Sequence, residues 1–95
     1  MKTYYLYILS SNNKSTIYVG VTNNLQRRIL EHRSKEVVGF SNNYNCINLV
    51  YFEKHNNVEK AIKREKQIKT WKREWKNNLI NAENPDWNDL AKDWS

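Results

Sequence analysis

Thr16-Ile17-Tyr18-Val19-Gly20-Val21-Thr22, running on into Asn23-Asn24-Leu25-Gln26-Arg27-Arg28-Ile29-Leu30-Glu31-His32, is the stretch from which the fold is read. Its first half places Ile17, Val19 and Val21 on one side and Tyr18 and Gly20 on the other, the two-residue period of a strand. Its second half has a helical period. Asn23 can cap a first turn with Gln26 bonding back, and Leu25 and Ile29 form an apolar pair one turn apart. Arg28 and His32 are also one turn apart, so a strand tyrosine, an arginine and a histidine can converge. Taken singly, such residues are ordinarily packing or solvated surface. Their combination is more specific, because Gly20 on a strand marks a close approach by a ligand or another chain segment.

Working outward, residues 3–10 form a first strand with Tyr5, Tyr7 and Leu9 on one face and Tyr4, Leu6 and Ile8 on the other. The turn residues Ser11-Asn12-Asn13-Lys14-Ser15 join it to the second strand as an antiparallel hairpin, which can bring Tyr7 and Tyr18 onto one face. Residues 34–45 lack a period and are expected to be a surface loop. Residues 47–53 follow as a third strand, with Ile47, Leu49 and Tyr51 alternating against Asn48, Val50 and Phe52. Asn56 with Glu59 then forms a helix-capping pattern, and Val58, Ala61, Ile62 and Ile68 fall on one stripe.

Glu65 lies in that stripe. A carboxylate facing a core costs several kcal/mol to desolvate unless it is paired or bound to a cation, so metal ligation competes with a buried salt bridge to an arginine. The rest of that helix carries Lys60, Lys63, Arg64, Lys66 and Lys69, a backbone footprint for a polyanion. From residue 70 onward, Trp71, Trp75 and Leu79 recur at four-residue steps. Asn84-Pro85 interrupts them, and Asp86 can cap a last short helix bearing Trp87, Leu90, Ala91 and Trp94 on one side. Tryptophans at this spacing are expected to pack the terminal helices of residues 70–95 on the body, with base stacking as the alternative.

Ninety-five residues suffice for one domain spanning 1–95. A single cysteine, Cys46, allows no internal disulfide, and no Cys/His spacing suits zinc. The first ten residues have too short an apolar run to span a membrane and lack a signal-peptide cleavage site, so a reducing, cytoplasmic setting is expected. The net charge of +6 is uneven, with a balance of +9 over residues 1–82 and −3 over 83–95. A cationic body favours nucleic acid over a membrane surface, because no helix pairs a basic face with a broad apolar one.

These residues resemble the GIY-YIG nuclease superfamily. Tyr5-Leu6-Tyr7 stands in the place of its first strand motif and Tyr18-Val19-Gly20 in the place of its second, with Arg28, His32 and Glu65 following in order. The chain is most similar to the small single-domain members akin to the nuclease domain of the bacterial excinuclease C subunit. That resemblance implies an α/β fold, a small three-stranded mixed sheet flanked by helices. It implies a monomeric, metal-dependent endonuclease acting on DNA, in repair or processing, with Mg²⁺ (or Mn²⁺) as cofactor. Tyr7 and Tyr18 would line the site, with Tyr7 activating water with help from His32. Arg28 would grip the scissile phosphate and Glu65 would hold the divalent ion. A free phenol with a pKa near ~10 is a poor base at neutral pH, so cations or a histidine must lower that value or relay its proton. The sequence departs from the pattern at Tyr5, where glycine is usual, and at Asn42 and Asn43, where lysines are expected to serve backbone affinity. A non-catalytic nucleic-acid-binding module on the same fold is the alternative, and a protein-interaction domain built on the tryptophan-rich end is a more distant one.

Overall fold

In a computed structural model, which describes residues 2–34 and 45–94, the chain runs β1 (Tyr4–Ser10), β2 (Ile17–Thr22), α1 (Leu25–Arg33), β3 (Asn48–His55), α2 (Val58–Lys69) and α3 (Arg73–Glu83). Most of the loop expected over 34–45, with Asn42 and Asn43, falls outside the described residues.

The sheet has the order β2-β1-β3. Both ladders are antiparallel, so the expected mixed sheet is corrected. β2 and β3 do run in the same direction, but β1 lies between them and no parallel pair forms. β1 is therefore central. Its alternation splits the interior in two: Leu6 and Ile8 join Val19, Val50, Tyr51, Ile68 and Ile80 beneath α2 and α3. Tyr7 and Leu9 join Leu25, Ile29, Cys46, Leu49 and Ala91 on the α1 face. A strand covered on both faces reads as a nearly continuous apolar run, as Tyr4–Ser10 does.

β3 departs from simple alternation. Ile8 opposes Tyr51 while Leu9 opposes Leu49, leaving Val50 as the extra residue of a bulge. The bulge shifts the phase, which is why Leu49 and Tyr51 face opposite clusters instead of sharing a face. Both helix caps sit one residue later than the sequence pattern places them. The Asn24 side chain accepts from the Arg27 N–H at 3.1 Å, and the Asn57 side chain accepts from Glu59 and Lys60. In each pair of adjacent asparagines the second is the extended residue at the helix edge, which puts Gln26 out of phase for the return bond.

The expected last short helix is absent. Residues 84–94 instead form a turn-rich strap over the edge of β3. The Asn84 amide donates to the Val50 carbonyl (3.0 Å), Asp89 accepts from the Leu49 N–H (3.0 Å), and Leu90 N–H donates to the Leu49 carbonyl (2.8 Å). Arg33 fastens the strap from α1 through Asp89 (2.5 Å) and the Ala91 carbonyl (2.7 Å). Trp87 packs on the α2/α3 cluster while Ala91 and Trp94 reach the α1 cluster, so the strap crosses from one face of the sheet to the other. Covering an exposed strand edge removes a template for aggregation.

Candidate active site

Three of the five expected residues gather on the α1 face where β1 pairs with β2, and a fourth stands beside them. Tyr7 opposes Gly20, and Tyr18 opposes Leu9 on the same face. Tyr7 lies so closely across Gly20 that an added Cβ would stand 2.6 Å from both its Cζ and its hydroxyl oxygen. A side chain at position 20 would therefore displace the phenol. α1 carries His32 onto this face, with its Nε2 3.1 Å from the Tyr7 hydroxyl. The Tyr7, Tyr18 and His32 rings stand 5.5 to 6.2 Å apart, centre to centre.

Burial orders the cluster. Tyr7 (1% exposed) and His32 (3%) are inside, while Tyr18 is half-buried and the Arg28 side chain is 36% exposed. Burial pushes the Tyr7 phenol up to about 12, and the charges of Tyr18 and Glu65 push the same way against the lowering influence of Arg28. The cations expected to lower this phenol are outweighed, so Tyr7 keeps its proton at neutral pH and only a relay remains open to it. His32 is lowered from its ordinary 6.5 by burial and then by the Arg28 charge, so it is neutral and able to accept. Contact with Tyr7 and Glu31 holds the Arg28 guanidinium firmly charged.

Arg28 donates from Nη1 to Glu31 at 3.4 Å, but its buried Nε has no hydrogen-bond partner among the described residues. A buried donor left unsatisfied costs about 1–3 kcal/mol, and an acceptor arriving with a ligand recovers that cost.

Glu65, on α2, lies near enough for its charge to act on the Tyr7 phenol. It is not set in a fully buried stripe: Ala61 and Ile68 are buried, but Val58 and Ile62 are each 39% exposed. The Glu65 side chain is 20% exposed and pairs with Lys69 Nζ at 3.3 Å, not with an arginine. At 100° per residue, Lys69 falls on the same flank of α2 as Glu65, whereas Lys63 and Lys66 fall on the solvent-facing back and Lys60 on the Arg64 side.

Arg64 is committed elsewhere. It binds Glu53 through Nε (3.2 Å) and Nη2 (3.0 Å) and Gln67 through Nη1 (3.0 Å), while Tyr51 and His55 close on the same carboxylate. Sequence alone gives no sign of Glu53, because only the fold brings residues 53 and 64 together. Glu31, the partner of Arg28, was also missed, although its spacing three residues along α1 is a visible signal.

No group of three or more His, Cys, Asp or Glu residues able to hold a metal occurs among the described residues. The donor set is Glu65, a hard oxygen ligand. It fits Mg²⁺, which keeps several waters and takes one or two carboxylates together with substrate phosphate. A hollow of about 750 Å³ on the outer side of α1, lined by Asn24, Arg27 and Glu31 among others, contains none of the five residues. A polymeric substrate needs an open face instead of an enclosing cavity, so volume does not locate this site. No described helix is long and apolar enough to cross a membrane.

Comparison with known proteins bears on the family and the fold. The GIY-YIG catalytic domain pattern matches residues 3–79, which stops within α3 and leaves the strap outside. A UPF0213 protein of Clostridium perfringens is 37% identical over 82% of this chain and 83% of its own length. Another from Syntrophus aciditrophicus is 36% identical over 90% and 98%. The solution NMR structure of a UPF0213 protein from Bacillus halodurans superposes with a TM-score of 0.59 at 22% identity, covering 98% of this chain and 99% of that one, and so shares the fold.

Proposed function

The chain belongs to the GIY-YIG catalytic domain family, and from that premise we propose that it is a divalent-metal-dependent endonuclease that hydrolyses phosphodiester bonds in DNA. The observation that carries this reading is the unpartnered Arg28 Nε beside the Tyr7–His32 pair: a fixed charge with an unused donor next to a neutral histidine that can take a proton. Arg28 would bind a non-bridging phosphate oxygen and offset the charge that grows there as water attacks. His32, as the Nδ1–H tautomer, would accept the Tyr7 proton at Nε2 while the phenol takes one from the attacking water. Water would reach this pair from the side of the half-buried Tyr18. Glu65 would hold Mg²⁺ (or Mn²⁺), which when bound supplies Lewis-acid stabilisation of the phosphate.

Lys69 would carry the phosphate backbone on the Glu65 flank, with Lys60, Lys63, Arg64 and Lys66 adding to the field. Such binding weakens steeply with salt. A role in DNA repair or processing, a cytoplasmic setting, a monomeric state and a single domain over 1–95 accompany this proposal.

The test is incubation of the purified protein with labelled single-stranded, duplex and forked DNA, with and without Mg²⁺ or Mn²⁺. Metal-dependent cleavage is expected. Salt-sensitive binding without cleavage under any of these conditions would replace the enzyme with the binding module, and a binding constant insensitive to salt would remove nucleic acid altogether.

A further inference from the structure

An aromatic pair that the cluster around Tyr7 does not use stands at the start of α3, Trp71 just before the helix and Trp75 in its first turn. Trp71 leans on the core beneath α2 and α3. Trp75 is 52% exposed, a large apolar surface on the outer side of a helix. The two rings meet edge-on, 6.4 Å apart at 78°, and with Asn78 and Leu79 they line a shallow hollow of about 430 Å³. Cations surround them: Lys72 Nζ lies 5.8 Å from the Trp75 ring centre, and the Arg64 guanidinium lies 5.3 Å from that of Trp71. Residues 60–76 carry eight Lys/Arg against two carboxylates. Arg73 ties the start of α3 to the β1–β2 turn through the Lys14 and Ser15 carbonyls, so the platform is anchored to the hairpin that carries Tyr18.

We propose that Trp75, backed by Trp71 and flanked by Lys72, is a stacking platform for an unpaired base of a single-stranded nucleic-acid segment. This rests on the nuclease reading and narrows its substrate to one with a single-stranded portion. An exposed indole offers a face on which any base can stack, and the neighbouring cations hold the phosphates on either side. Duplex bases already stack on one another and cannot use it. The platform begins two residues beyond Lys69, where α2 ends, and Arg64 on α2 reaches over the Trp71 ring, so the basic helix and the indoles adjoin. A protein partner would find only a small apolar area ringed by like charges, well short of the roughly 800 Å² per side of a stable interface.

The experiment measures binding of a fluorescein-labelled oligothymidylate and of a blunt duplex of equal length, without metal so that nothing is cut, to wild type, Trp75→Ala and Trp75→Phe. Melting curves confirm that the variants fold. Trp75→Ala is expected to lose about 5- to 150-fold in affinity for the single strand, the range of one base–aromatic stack, with a much smaller loss for duplex, while Trp75→Phe retains most of it. Wild-type single-strand affinity in folded Trp75→Ala overturns the platform alone, as does a loss of self-association in that variant with DNA binding intact. Failure of the wild-type protein to bind either DNA overturns the nuclease reading and the platform with it.

Discussion

This small protein contains two sets of the same four residue types, and they do opposite things. Tyr51, Glu53, His55 and Arg64 form a closed set in which the carboxylate receives the phenol, the imidazole and two guanidinium nitrogens. Tyr7, Arg28, Glu31 and His32 form an open one: the phenol meets the imidazole instead of the carboxylate, and a buried guanidinium nitrogen is left over. In the closed set, burial alone would raise Glu53, but the bonds from Arg64, Tyr51 and His55 outweigh it and leave its carboxyl below the ordinary value. In the open set, burial wins at both Tyr7 and His32 and favours their neutral forms. Residue type therefore does not identify a site. What distinguishes the open set is hydrogen-bonding capacity left for something outside the protein.

The largest effect that sharpens this contrast is on cleavage. Arg28→Ala is expected to reduce the rate on the order of 10²- to 10³-fold while holding or raising the melting temperature, because it loses one transition-state donor and only a weak helical pair with Glu31 and sheds the unsatisfied buried nitrogen. Arg64→Ala should do the reverse, destabilising by about 2 kcal/mol by leaving Glu53 without its main partner. For a chain of this size that is a fall in Tm of roughly 8–16 °C. Rates and thermal melts of both variants check the pair, and a folded Arg28→Ala that cuts at the wild-type rate would make the open set ordinary surface.

Gly20→Ala tests the packing that holds the open set in place. The methyl group must push Tyr7 away, so a loss of about 1–3 kcal/mol is expected together with loss of cleavage. Near-ultraviolet circular dichroism of the tyrosines and a urea titration would read both.

Acid should separate the two sets. The lowered His32 contributes stability that is complete above its ordinary 6.5 and declines as the pH falls below it, because the unfolded chain takes the proton first. Cleavage should fall on the same limb, as the relay needs an unprotonated Nε2. The lowered Glu53 gives stability that holds until the pH drops below the ordinary carboxylate value of 4.5 and is lost as it passes through the folded value. A urea midpoint followed from pH 8 to pH 3 should show both declines in wild type and lose the upper one in His32→Gln. A single decline in wild type, confined below pH 4.5, contradicts the open set.

The smallest stability effect belongs to Glu65→Gln. Its Lys69 partner is half exposed, so without metal the change should stay within about 0.5 kcal/mol. The variant should lose the stabilisation that Mg²⁺ or Mn²⁺ gives wild type, along with metal-dependent cleavage. Melts of both proteins with and without metal decide it, and a strongly destabilised variant that still cuts DNA would sink the metal role of this carboxylate.

Much of this was legible in the chain, because it depends on neighbours. Alternation in Tyr4–Ser10 and Ile17–Thr22 fixes which side chains of one strand share a face, so Tyr18 and Gly20 could be grouped before any fold was known, whereas the hairpin register had to set Tyr7 beside them. A four-residue step on α1 likewise puts Arg28 and His32 on adjoining turns. These are consequences of backbone geometry acting over a few residues. The bulge at Val50, the choice of Asn24 and Asn57 as caps, the strap in place of a last helix and the capture of Arg64 by Glu53 are decided by the tertiary structure. Residues 53 and 64, 49 and 89, and 33 and 91 become partners only after the chain has closed on itself. Local pattern shows where a polar group points, but whether it is satisfied depends on what the rest of the fold brings to it, and that is why the free nitrogen of Arg28 could not be foreseen.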